Sequence, residues 1–249
     1  MLLRARLSGR MHRVFPGLVV GQLRQDLPVE KMGLARANRS CLNISEQVHL
    51  KQRSMFLTRR PRVEEIDRFL CESEGLPLSY GPAGMLTAST PRRDLDETSV
   101  VIGRGKGAFE RARAALIAWK PFDIGWVETF PAAAPIVSGT VVAVLIRHLG
   151  FWSLNGCRVL YSVGSVDDAV RFGFAYGTLT NHAESGEELF EVYMDPETDE
   201  VIYRIRAISS PRAALARMGQ PIVRVLQERF RKQSAGAMER ATRGTGART

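Results

Sequence analysis

The sequence predicts an α+β fold in which a curved antiparallel β-sheet wraps around a long C-terminal helix. Three observations predict it. From Gly125 onward the chain passes through about six strand-like segments whose connections carry Pro, Gly, Asp and Asn, as sequential antiparallel pairing requires. Apolar residues alternate within them, as in Phe172, Phe174 and Tyr176 or Phe190, Val192 and Met194, so each strand has two unlike faces. After Ser210 the period becomes helical, with Leu215, Met218, Ile222, Val225, Leu226 and Phe230 forming a broad apolar stripe. A curved sheet must cover its concave apolar face, and this helix is the natural cover. A pocket between sheet and helix follows from that geometry.

Residues 1–54 carry ten basic and three acidic residues. Taken from chain totals of 35 and 26, they leave 25 basic against 23 acidic residues in 55–249. The positive charge thus belongs mainly to a leading segment with no clean helical or strand period. It has no long apolar stretch followed by a small-residue cleavage pattern, so it does not read as a secretory signal. It reads as a disordered or spurious extension, with folded protein beginning at Met55. Pro61 to Leu70 predicts a short amphipathic helix, where Pro in the first turn is permitted and Glu64 and Glu65 suit the dipole. Gly75 to Asp96 reads as a long loop, and such loops are often functional or mobile. Val100 to Ile102 is a strand. A helix follows, with Phe109, Ala112, Leu116 and Trp119 on one face, and it ends at Pro121.

The turn Gly103-Arg104-Gly105-Lys106-Gly107 lacks the phosphate-loop spacing and the Ser or Thr after Lys, so it reads as a connection only. The later strands are expected at Gly125–Phe130, Thr140–His148, Asn155–Val163, Val170–Leu179, Glu187–Met194 and Val201–Ile208. Ser210 and Pro211 read as the cap and first position of the terminal helix, and Pro221 is expected to kink it. Residues 55–240 are expected to form a single domain, followed by a disordered tail over 241–249. Cys41, Cys71 and Cys157 are an odd number without metal spacing, which favours a reducing, cytoplasmic setting. The longest apolar run, Ile136 to Ile146, falls short of the ~20 residues a membrane span needs, so no transmembrane segment is expected.

Five blocks carry a resemblance: MFLTRRP, AFERARAALIAWKPFDIGW, RHLGFWSLNGCRVLY, RFGFAYGTLTNHAESGEELFEV and SSPRAALARMGQPIVRVLQERF. In this order they resemble, over residues 55–240, the family known as domain of unknown function 1990, or uncharacterised protein family 0548. The resemblance implies a helix-grip fold similar to the START-like superfamily, whose members bind apolar ligands beneath the terminal helix. It implies no activity.

The candidate site residues come from the polar side chains set among aromatics between Arg147 and Phe190: His148, Trp152, Asn155, Arg158, Tyr176, His182, Glu184 and Glu187. Asn155 and Arg158 are three apart on a strand, so at most one of them faces a cavity. Tyr176 shares the face of Phe172 and Phe174. His182, Glu184 and Glu187 sit in one hairpin connection at the expected mouth. Their spacing matches no closed zinc pattern, so neither a metal nor another cofactor is expected. Trp119, Trp126 and Trp152 are candidate wall residues or core.

Three functions fit these readings. The first is binding of an apolar or amphipathic small molecule in a cavity between sheet and terminal helix. The second is an enzyme on the same fold, cyclase- or hydrolase-like, using His148 or His182 with Glu184 as acid and base. The third is contact of the basic ends with nucleic acid or an anionic membrane. A nearly neutral folded part argues against nucleic acid as a partner.

Overall fold

The computed structural model describes residues 55–87, 94–148, 150–164, 168–211 and 220–243, all within one compact unit. The leading segment 1–54 and most of the expected tail lie outside the described residues, as do Leu215 and Met218. The strands are β1 (Met55–Leu57), β2 (Asp96–Arg104), β3 (Val127–Phe130), β4 (Val141–His148), β5 (Phe151–Val163), β6 (Arg171–Thr178), β7 (Glu184–Met194) and β8 (Glu200–Pro211). The helices are α1 (Val63–Glu74), α2 (Gly105–Ile117) and α3 (Gln220–Thr242), with a short 3-10 turn over Lys120–Phe122.

One antiparallel sheet contains these eight strands in the order β2-β8-β7-β6-β5-β4-β3, while β1 pairs with the first half of β5. The six strands from β3 to β8 are each hydrogen-bonded to the next in sequence, as short turn-rich connections dictate. The inner face is apolar. Phe172, Phe174, Phe190, Val192, Val201, Tyr203 and Ile205 pack there with Phe109, Ala112 and Leu116 of α2 and Met238 of α3. Two helices therefore share the concave face, where the sequence suggested one. On the outer face α1 covers Leu145 and Leu154 with Ile66 and Phe69.

Three boundaries and the buried face of α3 differ from expectation for identifiable reasons. Ser210 and Pro211 lie in β8 rather than at a helix start, since Ser209, Ser210 and Pro211 pair with Gly186, Ser185 and Glu184; residues 212–219 lie outside the described residues. Gly105–Gly107 is not a loose connection but the first turn of α2, entered at a Gly105 φ of 75°, where glycine is favoured. The apolar stripe of α3 holds at Leu226 and Phe230, which pack against the core, but Val225 is 64% exposed, and the buried face continues through Ser234, Ala235 and Ala237. The helix also runs to Thr242, past the expected limit at 240. Thr242 is buried, and Arg111 Nε donates to its carbonyl at 2.7 Å, which satisfies an orphan acceptor at the helix end. Cys157 is a buried free thiol. Among the described residues no helix is long and apolar enough to cross a membrane.

Candidate functional site

The two inner helices do not fill the concave face to the same depth. Helix α2 packs over the Phe109–Phe174 end. Towards the other end the sheet faces Phe122 of the 3-10 turn and the first half of α3, and a cavity of about 520 Å³ opens there. Its walls are chiefly apolar: Phe122, Trp126, Val144, Ile146, Leu226 and Phe230. The 3-10 turn places Phe122 against Phe190 and Phe230, with centroids 5.2 and 5.5 Å away. The Trp126 indole N–H donates to Gln233 Oε1 at 2.6 Å, which ties β3's approach to α3.

Polar groups enter this wall along two lines. The first runs from the β4–β5 hairpin. His148 Nε2 lies 3.2 Å from Ser153 Oγ, and Ser153 in turn accepts from Asn155 Nδ2 at 3.0 Å. Asn155 Oδ1 accepts the backbone N–H of Ala183. His182 Nδ1 accepts the N–H of Glu184 at 2.9 Å, which fixes that nitrogen as an acceptor. Burial lowers the pKa of His148 and so favours its neutral ring. Phe56 meets His148 edge-on at 6.3 Å.

The second line is carboxylic. Tyr176 Oη donates to Glu188 Oε2 at 2.6 Å across the β6–β7 register pair. Gln227 Nε2 reaches Glu184 at 3.2 and 3.3 Å from α3. Burial raises the pKa of Glu188 to about 7, and the Glu184 charge adds to the rise; the Tyr176 hydrogen bond and the Arg231 charge oppose it. Burial likewise raises Glu184, against the bond from Gln227. Tyr176 is held well above the usual phenol range by burial and by Glu188. No group of ligand-type side chains able to hold a metal ion is found among the described residues.

The structure thus brings together His148, Asn155, Tyr176, His182 and Glu184 around one cavity. It separates the other three candidates. Trp152 has the parity of Leu154 and packs on the outer cluster, under the Arg147 guanidinium at 5.9 Å. Arg158 is also on the outer face, where its guanidinium donates to the Glu74 carbonyl at the end of α1. Glu187 borders the cavity, but its carboxylate is turned to the outer side. There it accepts from Tyr161, Tyr80 and the backbone N–H groups of Gly84, Met85 and Leu86, pinning that part of the long loop to the sheet.

Sequence reasoning missed Glu188. The signal was present, because counting by twos from Met194 through Val192 and Phe190 reaches Glu188 and not Glu187. Gln227 and Arg231 gave no such signal, since on α3 they lie beside the apolar stripe like any solvated pair.

An antiparallel sheet gripping its terminal helix, with a lined cavity between them, defines a helix-grip protein. The chain belongs to the family described as Domain of unknown function (DUF1990), whose sequence model matches residues 79–237. A UPF0548 protein of Dictyostelium discoideum is 35% identical over 156 residues, which make up 59% of this chain and 72% of that protein. A UPF0548 protein of Deinococcus radiodurans is 33% identical over 200 residues, 75% of this chain and 98% of its own length. Among solved structures, TTHA0849 from Thermus thermophilus has a TM-score of 0.43 at 11% identity, covering 59% of this chain and 96% of that one.

Proposed function

We propose that this protein holds an apolar or amphipathic small molecule in the cavity between its sheet and α3. The observation that carries the reading is the cavity itself, about 520 Å³ of space walled by aromatic and aliphatic side chains with a few polar groups. That is the usual character of a small-molecule site, where apolar walls supply affinity and few polar groups supply orientation. A core built only for stability would fill such a space, since voids of this size forfeit packing contacts. Native mass spectrometry of the full chain, gently purified, tests the reading. A bound species lost on denaturation supports it. Protein that neither retains a molecule nor takes up an added apolar probe contradicts it.

A second reading, acid–base catalysis in the same cavity, is favoured by one observation: Glu188 is held near 7 beside Tyr176. A general acid or base works best with a pKa close to the working pH. On this reading Glu188 is the acid–base group rather than a histidine, because the geometry gives His148 to Ser153 and His182 Nδ1 to a backbone N–H. Turnover of any candidate substrate with a midpoint near pH 7, abolished in Glu188→Gln, is its expected signature. The reading through basic ends rests on residues 1–54 and the far tail, outside the described residues.

A further inference from the structure

Resting on the binding reading above, we infer that the cavity's ligand carries a cationic head, an amine or ammonium group, which docks on Glu188 while its apolar body lies along Phe122, Trp126 and Phe230. The polar groups that face the cavity are unbalanced in charge. Among the described residues, Asp96, Glu184 and Glu188 line it against one guanidinium, Arg231. Arg231 is already engaged by Asp96, at 3.7 Å. Among the described residues neither Glu184 nor Glu188 has a basic side chain in ion-pair contact. Glu187, the fourth acid at the wall, is satisfied by five donors on the outer side and takes no part.

Glu188 has the geometry of a half-made site. Tyr176 binds Oε2 and holds the carboxyl in place. Oε1 has no hydrogen-bond partner among the described residues, and the residue lines the cavity. Among the described residues a carboxylate in this position has one hydrogen-bond donor, Tyr176, and no ion-pair contact, fewer partners than normally accompany buried charge. A ligand cation would supply them. A ligand carboxylate or phosphate would instead meet Glu188 and Glu184 with like charge, and a neutral head would leave the imbalance standing.

The titratable groups facing Glu188 are Tyr176 of β6, Cys157 of β5, Tyr203 of β8, Glu184 of its own strand and Arg231 of α3. Tyr176, Cys157 and Tyr203 are all raised by burial and stay neutral near pH 7. Arg231 contributes a fixed positive charge, so the charge beside the ligand that changes with pH is that of the Glu188 and Glu184 carboxyls. Glu188, with a pKa raised to about 7, is largely neutral at pH 5.5 and largely ionised at pH 8. An alkylammonium stays charged over that range. Its binding must therefore strengthen with rising pH, while that of an alcohol of equal length must not.

The experiment uses the full chain and the neutral fluorophore N-phenyl-1-naphthylamine, displaced in turn by octylamine, octanol and octanoate. At pH 8 octylamine is expected to displace the probe at about tenfold lower concentration than octanol, which is about 1.4 kcal/mol of preference, with octanoate weakest. The octylamine advantage is expected to shrink severalfold at pH 5.5. It should largely vanish in Glu188→Gln and fall less in Glu184→Gln. Octanol or octanoate equalling octylamine in the wild type at pH 8 overturns the inference, and leaves the binding reading intact because the probe still binds. Probe that does not bind at all overturns both.

Discussion

Glu188 is partly buried on the cavity wall, with Tyr176 bound to one carboxyl oxygen. Burial raises its pKa from 4.5 to about 7, so the folded chain holds this proton more tightly than the unfolded chain does. The contribution to stability is therefore most favourable below about pH 4.5. It is lost progressively up to 7, and the full cost is felt above 7. Glu188→Gln removes that titration while keeping an acceptor for Tyr176. Relative to wild type, the variant is expected to gain about 3 kcal/mol of stability between pH 4.5 and 8, read from urea denaturation at each pH. Equal pH dependence in the two proteins would show that Glu188 is solvated like a surface carboxylate. Glu187, its neighbour, has the opposite role. Glu187→Ala leaves two phenols and three backbone N–H groups without their acceptor, at a cost of about 3 kcal/mol or more. The amides of Gly84, Met85 and Leu86 should then lose hydrogen-exchange protection ahead of the rest of the sheet, and unchanged protection there would refute the pinning.

Much of the element scale was legible in the sequence. Period-two alternation located the inner face through Phe172, Phe174 and Tyr176, and turn chemistry such as Asp195–Asp199 separated the strands. The same alternation would have assigned Glu188 inward, but a hairpin drawn as ending at Glu187 hid the register. Strand ends are set by pairing with distant segments, as when Ser209–Pro211 meets Glu184–Gly186, and no local pattern reveals that. The second half of the buried side of α3 was illegible for a related reason. Ser234, Ala235 and Ala237 add no large apolar residue to the stripe, yet small residues allow close approach, and Ser234 bonds Tyr203 at 2.8 Å. Gly186 is the tightest point of the β7–β8 pairing, because a Cβ there would collide with the Ile208 carbonyl oxygen. Gly186→Ala must displace backbone, and an expected loss of about 2 kcal/mol or more follows. A variant as stable as wild type in urea denaturation would contradict that registry.

At the scale of the whole molecule, the unequal cover of the concave face explains the cavity. Helix α2 and its Phe109, Ala112 and Leu116 close one end as ordinary core. The other end is roofed by Phe122 and the Leu226–Arg231 stretch of α3, and there space is left. Family membership agrees with the resemblance seen in the sequence. The most direct test of the account fills the space. Ala207 stands opposite Glu188 in the β7–β8 register and lines the cavity, so Ala207→Trp places an indole where the ligand should lie. Titration of N-phenyl-1-naphthylamine into wild type and variant is the measurement. Saturable one-to-one binding to the wild type is expected, weakened at least tenfold (about 1.4 kcal/mol or more) in a variant that still melts cooperatively. No saturable binding to the wild type, or equal binding to a folded Ala207→Trp protein, would contradict it.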